Sequence, residues 1–257
     1  MEEASEQPNV ITCSSAIDAC GKGGQWEIAV HFLWAMEVLQ LTPNVYSYNS
    51  AISALGNSEQ WQAACELCLS MDQAKMTANA ISYNSAITAC ERCGQWSVAL
   101  DLIDLMISLE LYPNVISLSS AIAACHGRWT LAVHLLVSMQ PTFALQPNVI
   151  SYGGAISTCE QAQRWPVAVS LLASMQHDDI SSNAVTCNSC LSACGASQWS
   201  RLFALWELMC KLGIHPDSIS YRSSVAACEL AGRSFGPWCS QRRWLHSNTG
   251  ARSKRKK

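Results

Sequence analysis

One phrase recurs through this 257-residue chain at an almost constant interval. PNVYSYNSAI begins at Pro43, ANAISYNSAI at Ala78, PNVISLSSAI at Pro113 and PNVISYGGAI at Pro147, with looser copies beginning at Pro8, Ser182 and Pro216. The intervals are 35, 35, 35, 34, 35 and 34 residues. A unit of that size cannot bury a core by itself, so neighbouring units must stack and share one. A second landmark keeps step with the first: Trp26, Trp61, Trp96, Trp129, Trp165 and Trp199 each open a W-x-x-A-like run that ends near a methionine. Six units are complete, and a seventh stops after its first half.

Each unit divides into two helical segments. Pro43-Asn44 has the form of a helix entry, because proline is tolerated where the backbone N–H has no partner and asparagine caps the exposed donors. ISYNSAI alone is rich in strand-favouring residues, but Tyr48, Ile52 and Leu55 fall at i, i+4 and i+7 on one side of a helix, and periodicity outweighs propensity. In the second segment Trp61, Ala64, Leu67, Cys68 and Met71 fall on one stripe of an amphipathic helix. Short polar turns such as GNSEQ and GKGGQ separate the two. The expected fold is all-α: a right-handed α-solenoid of about six and a half helix-turn-helix repeats over residues 8–228. An acidic segment (1–7) precedes it, and a degenerate, basic tail (229–257), expected to be disordered, follows.

Composition narrows the function. No apolar run approaches the roughly 20 residues of a membrane helix, so no membrane partner is expected. MEEASEQ shows neither a signal peptide nor a transit peptide. Residues 233–257 hold eight basic and no acidic side chains, which leaves 1–232 with a balance of minus 11. The fourteen cysteines are expected to be reduced thiols. Cys65-x-x-Cys68 and Cys90-x-x-Cys93 imitate a zinc pattern, but Cys90 belongs to a repeat column with Cys20, Cys125, Cys159, Cys194 and Cys228, where cysteine serves as a small hydrophobe. No metal and no cofactor are expected. The six histidines are scattered, and no P-loop, G-x-S-x-G, dinucleotide or H-x-E deaminase motif occurs, so the chain is not expected to be an enzyme.

A 35-residue hairpin opening with P-N/D-x-x-S/T-Y-N-S/T-x-I resembles the pentatricopeptide repeat, and the cadence AISAC…QW-x-x-A-x-x-L-x-x-M is similar to the P-type arrays abundant in algal protists. The tetratricopeptide repeat is the competitor, but it places W-x-x-L-G-x-x-Y in its first helix, whereas tryptophan here opens the second. The resemblance implies binding of single-stranded RNA, one base per repeat, in post-transcriptional processing or stability of organellar transcripts. It implies a mitochondrion or chloroplast, with cytoplasm or nucleus the alternative. Other protein factors are further partners it admits; the sequence leaves the oligomeric state open.

Two positions per repeat read the base in that family, and a third stacks on it. Carried over, the reading pairs are Ser14 with Asn44, Asn49 with Asn79, Asn84 with Asn114, Ser119 with Asn148, Gly153 with Asn183, and Asn188 with Asp217. The stacking column is Ile11, Tyr46, Ile81, Ile116, Ile150, Val185 and Ile219. The family's preferences then imply 5′-A-Y-Y-A-N-U-3′, with cytosine the favoured pyrimidine and Gly153 offering nothing to a base. The tryptophans are assigned to packing between hairpins rather than to base stacking. Cations are sparse in the array: Lys22, Lys75, Arg92, Arg128, Arg164, Arg201, Lys211 and Arg222. RNA binding is therefore expected to be weak and sensitive to salt. The rival reading is a protein-binding helical scaffold whose acidic surface selects a basic partner.

Overall fold

The computed structural model describes residues 9–71, 74, 76–194, 199–211, 213–214 and 216–230; within these, the side chains of Trp199, Ser200, Arg201, Phe203, Cys210, Ala227, Cys228 and Leu230 are not described. The acidic segment 1–7 and the tail beyond Leu230 lie outside the described residues. Among those residues every regular element is a helix, and the fold is an α-solenoid of helical hairpins. In chain order the helices are α1 (Val10–Lys22), α2 (Trp26–Val38), α3 (Val45–Asn57), α4 (Trp61–Ser70), α5 (Ala80–Arg92), α6 (Trp96–Ser108), α7 (Val115–Ala124), α8 (Trp129–Phe143), α9 (Val149–Gln161), α10 (Trp165–His177), α11 (Ala184–Cys194), α12 (Trp199–Lys211) and α13 (Ser218–Leu230). No described helix is long and apolar enough to cross a membrane. The chain forms two compact units, residues 1–158 and 159–257.

The first helix of each repeat starts on a reciprocal cap. Asn9 Oδ1 accepts from the Thr12 amide (2.8 Å) while Thr12 Oγ1 accepts from the Asn9 amide (2.9 Å). Asn44, Asn79 and Asn114 make the same box with Ser47, Ser82 and Ser117. Two orphan donors are satisfied at once, which is why a strand-like phrase enters a helix here.

Most of the described helix ends share one closure, with α7 and α8 the exceptions. The Gln25, Gln60 and Gln95 amides donate across five residues to the carbonyls of Cys20, Leu55 and Cys90, each at 2.9 Å, with Gly24, Glu59 and Gly94 in the left-handed conformation. Second helices close alike, Leu41, Leu111 and Ile180 donating to Met36, Met106 and Met175 at 2.8 Å. This is the six-to-one closure of a helix that reverses direction. The column of cysteine and leucine and the column of methionine therefore mark the ends of successive helices.

In the first unit α1, α3, α5 and α7 pack side by side, and α2, α4 and α6 each lean on their own first helix and on the next one. Tyr48, Ile52 and Leu55 are buried, as are Tyr83, Ile87 and Cys90 one repeat later. Ala64 and Cys68 of α4, with Met71 at its C-cap, answer them. Close approach needs small residues: a Cβ on Gly21 would lie 2.9 Å from that of Ala54, and one on Gly56 3.0 Å from that of Ala89. The second unit repeats the scheme, α11 packing on α10, α12 and α13, with Trp206 buried edge-on to Tyr221 and donating through Nε1 to Ser224 Oγ at 2.8 Å. Of the landmark tryptophans whose side chains are described, Trp26, Trp61, Trp96, Trp129 and Trp165 are half-buried on the second helices.

Candidate nucleic-acid interface

One column of the first helices breaks the rule that large apolar groups go inside. Ile11, Tyr46, Ile81, Ile116, Ile150, Val185 and Ile219 are between 54% and 74% exposed. Tyr46, Ile81 and Ile116 share their helices with the fully buried pairs Ala51 and Ile52, Ala86 and Ile87, and Ala121 and Ile122, so the exposure is a property of the face and not of a loose helix. Keeping an isoleucine in water forgoes about 1–2 kcal/mol of burial free energy. Ile11, Tyr46, Ile81, Ile116 and Ile150 recur at one phase of the first helices and form an apolar ladder on the first unit, and Val185 and Ile219 hold the same phase in the second.

Polar groups stand beside it. In the first unit the space bordered by α3, α5 and α7 is a cleft of about 340 Å³ whose lining includes Ile81 and Ile116, the reading pair Asn84 and Asn114, and Arg92. Thus two stackers and two readers assigned separately from the sequence meet around one cavity. Its volume falls near the lower end of the roughly 300–1,000 Å³ usual for small-molecule sites.

The reading side chains are held, not free. Asn49 Oδ1 accepts from Ser82 Oγ at 2.6 Å, and Asn84 Oδ1 accepts from Ser117 Oγ at 2.5 Å. Asn79 Oδ1 accepts from the amides of Ile81 and Ser82 at 3.0 and 3.1 Å; Asn114 and Asn148 cap their helices in the same way. Asn44 and Asn183 each accept from the amide three residues on, both at 2.9 Å. So the post-proline asparagines are helix caps whose oxygens are occupied. Among the described residues nothing accepts from the Nδ2 groups of Asn49, Asn79, Asn84 and Asn114.

Asn188 and Asp217 form the one acidic pair. Asn188 Nδ2 donates to both carboxylate oxygens at 3.1 and 3.2 Å, and Ser220 Oγ donates to Asn188 Oδ1 at 2.5 Å. The Ser220 backbone amide first, then the Asn188 side chain among further donors, holds the Asp217 carboxyl below the usual carboxylate range. Ser14 and Ser119 are only 3% exposed. Their hydroxyls pair with those of Ser47 and Ser151, each at 2.7 Å, and Ser14 also donates to the Val10 carbonyl. Gly153 is half-buried and brings no side chain.

Three cations of the array are engaged with neighbouring side chains. Lys22 pairs with Asp18 at 2.6 Å, Lys211 with Glu207 at 2.9 Å, and the Arg128 guanidinium lies 4.3 Å from the centre of the Trp96 ring. Arg222 is exposed. Lys75 and the side chain of Arg201 lie outside the described residues. Of the paired cysteine motifs, Cys65 and Cys90 face each other with sulfurs 3.6 Å apart. Among the described residues no cluster of three or more metal-ligating side chains forms.

The sequence alone did not single out one set of residues that the structure places beneath the candidate site. Thr12, Ser47, Ser82, Ser117, Ser151, Thr186 and Ser220 occupy the third position of each first helix, and the five serines among them are fully buried. Their signal was present as a hydroxyl every 34 or 35 residues.

Comparison with known proteins agrees with this architecture. The family pattern described as "Pentatricopeptide repeat domain" matches residues 1–58, and that described as "PPR repeat" matches 46–76 and 81–111. No curated protein matches the sequence significantly. Among solved structures, maize pentatricopeptide repeat protein PPR10 is 25% identical with a TM-score of 0.62, over 88% of this chain and 32% of that one. PPR10 in complex with an 18-nt psaJ RNA element is 20% identical with a TM-score of 0.64, over 86% and 32%. This chain thus spans about a third of the length of the solved relatives it matches. With the repeat period, the paired helices and both family patterns in agreement, the chain is a pentatricopeptide repeat protein.

Proposed function

We propose that this protein binds single-stranded RNA along the exposed apolar ladder, each base lying between ladder residues of successive repeats and read by the paired polar side chains beside them. The observation that carries the reading is the cleft in which Ile81 and Ile116 converge with Asn84 and Asn114. Exposed aliphatic groups suit the faces of bases, and amides suit their edges. The structurally related PPR10 was solved with an RNA element bound, in keeping with this reading.

The hydrogen bonds of each pair support particular letters. With both oxygens occupied, Asn49 with Asn79 and Asn84 with Asn114 present only N–H donors to the groove. Cytosine carries two adjacent acceptors, N3 and O2, which such a pair satisfies; uracil has an N3–H that would be left unpaired. In the Asn188 and Asp217 pair the carboxylate supplies an acceptor beside an amide donor, and this suits the N3–H and neighbouring carbonyl of uracil. At Ser14 and Ser119 the short, inward-turned hydroxyl leaves more room, in keeping with a purine. The reading is 5′-A-C-C-A-N-U-3′, with uracil tolerated at the second and third letters. Arg92, lining the cleft, supplies a cation for phosphate. The activity is binding, in the processing or stability of target transcripts, and the family's organellar setting is the proposed compartment.

In vitro selection followed by filter binding at two salt concentrations tests this. Enriched RNAs should contain the pattern, and changing Asn49, Asn84 and Asn188 to Ala should weaken or redirect binding. If the wild type retains no single-stranded RNA at the lower salt, the proposal fails and the acidic protein-binding scaffold takes its place.

A further inference from the structure

The buried serine at the third position of each first helix does more than cap. Ser82 Oγ has one proton and accepts one bond from the Asn79 amide at 3.3 Å. Two oxygens compete for the proton: Asn79 Oδ1 at 3.2 Å and Asn49 Oδ1, from the preceding repeat, at 2.6 Å. The shorter contact lies in the usual O–H···O range and takes it. Ser117 repeats the choice, 3.1 Å to Asn114 against 2.5 Å to Asn84. Ser220 repeats it again with Asn188. There an independent constraint fixes the amide, because Asn188 Nδ2 faces the Asp217 carboxylate, which can only accept. Where the preceding repeat supplies a serine, the hydroxyls pair directly, as Ser47 with Ser14 and Ser151 with Ser119. Where no side chain is on offer, the bond goes elsewhere. Thr186, preceded in the repeat order by Gly153, donates to the carbonyl of its own cap residue Asn183 at 2.9 Å, and Thr12 in the first described repeat donates to that of Asn9 at 2.8 Å.

We infer that Ser82, Ser117 and Ser220 are specificity-determining positioning residues: each hydroxyl pins the carbonyl of the preceding repeat's reading asparagine, so that only the amide N–H end is turned outward, to the RNA base at Asn49 and Asn84 and to the base-reading Asp217 carboxylate at Asn188. An unpinned asparagine presents either end by a half-turn of its amide and cannot tell an acceptor edge from a donor edge. Cytosine and uracil differ in that respect at N3. The serine thus sets base choice without touching the base, through the repeat before its own. The inference rests on the RNA-binding reading.

The test is a competition between two RNAs that differ only in cytosine or uracil at the nucleotide facing Asn49. Wild type should prefer cytosine about tenfold, the value of one good hydrogen bond. Ser82→Ala should bring that ratio to within about twofold while the mean affinity for the two RNAs holds, because the bond to the base survives in either orientation. The double change Asn49→Ala with Ser82→Ala should match Asn49→Ala alone, as it must if the serine acts through the asparagine. Thr186→Ala is the control for capping: it should lower the melting temperature about as much as Ser82→Ala and leave this ratio intact. An unchanged ratio in Ser82→Ala, or an equal loss for both RNAs, overturns the inference and spares the RNA reading. Absence of binding by the wild type overturns both.

Discussion

Replacing Asn79 by Asp is the sharpest perturbation the interface offers, because the protein already contains the result at another repeat. Asn79 Oδ1 caps α5 by accepting from the Ile81 and Ser82 amides at 3.0 and 3.1 Å. Asp217 caps α13 through the same two positions at 3.0 and 2.9 Å. Asp and Asn cap equally well, and a carboxylate at a helix N-terminus is favoured by the dipole, so Asn79→Asp should fold as the wild type does. What changes is the groove. A donor becomes an acceptor, and Asn49 gains a carboxylate to donate to, as Asn188 has in Asp217. Cytosine N3 would then meet a carboxylate with no proton between them, forfeiting one hydrogen bond of about 1 kcal/mol at a wet site. Uracil N3–H gains a bond of about the same size. Together these shift the cytosine-to-uracil ratio by about 2 kcal/mol, or about thirtyfold, turning a cytosine preference into a uracil preference. Fluorescence anisotropy with the two RNAs at fixed salt measures the ratio, and the phosphate repulsion from the added charge cancels between them. A variant that binds with the wild-type ratio would refute the donor-only account of the Asn49 and Asn79 pair.

Other perturbations test the packing and the charges. Gly56→Ala places a methyl 3.0 Å from Ala89 Cβ between α3 and α5, so overpacking of about 1–3 kcal/mol outweighs up to about 1 kcal/mol of helix propensity, and urea unfolding should show a net loss of about 1 kcal/mol. A more stable variant would mean that the two helices part easily. The Asp217 carboxyl titrates below its unfolded value of about 3.9, so its contribution is present above that pH and lost as pH falls through the lowered folded value. Wild type should therefore lose more stability between pH 5 and pH 3 than Asp217→Asn, as read by thermal melts. Burial pushes the Cys125 thiol up to about 11, so at pH 8 iodoacetamide should label the half-exposed Cys20 well before Cys125, Cys159 or Cys194, as read by mass spectrometry. Arg92→Gln should lower the slope of log affinity against log salt by about 1, the loss of one phosphate contact.

The hairpin stack was legible because the period was. Tyr48, Ile52 and Leu55 announced the buried side of α3, and all three are buried, although the phrase containing them reads as a strand. Propensity yields there because the Asn44 and Ser47 cap starts the helix and the neighbouring helices bury it. The exposed apolar column and the polar column beside it were legible as columns for the same reason, since residues at one phase of successive helices share one face. Whether the apolar column is buried or displayed was decided by Ser47 and its equivalents, which bury the adjoining position instead. What no single position revealed was the direction of the hydrogen bonds. Asn49 can present a donor or an acceptor, and the choice depends on a proton carried by Ser82, 33 residues away. Likewise Arg128 read as a candidate for phosphate until Trp96, 32 residues earlier, placed a ring beneath it. Side chains that meet across repeats act in pairs separated by slightly less than one period. A repeat protein of this kind is therefore specified by couplings between repeats as much as by the residues of each, and Ser82 belongs to the function of the repeat before it.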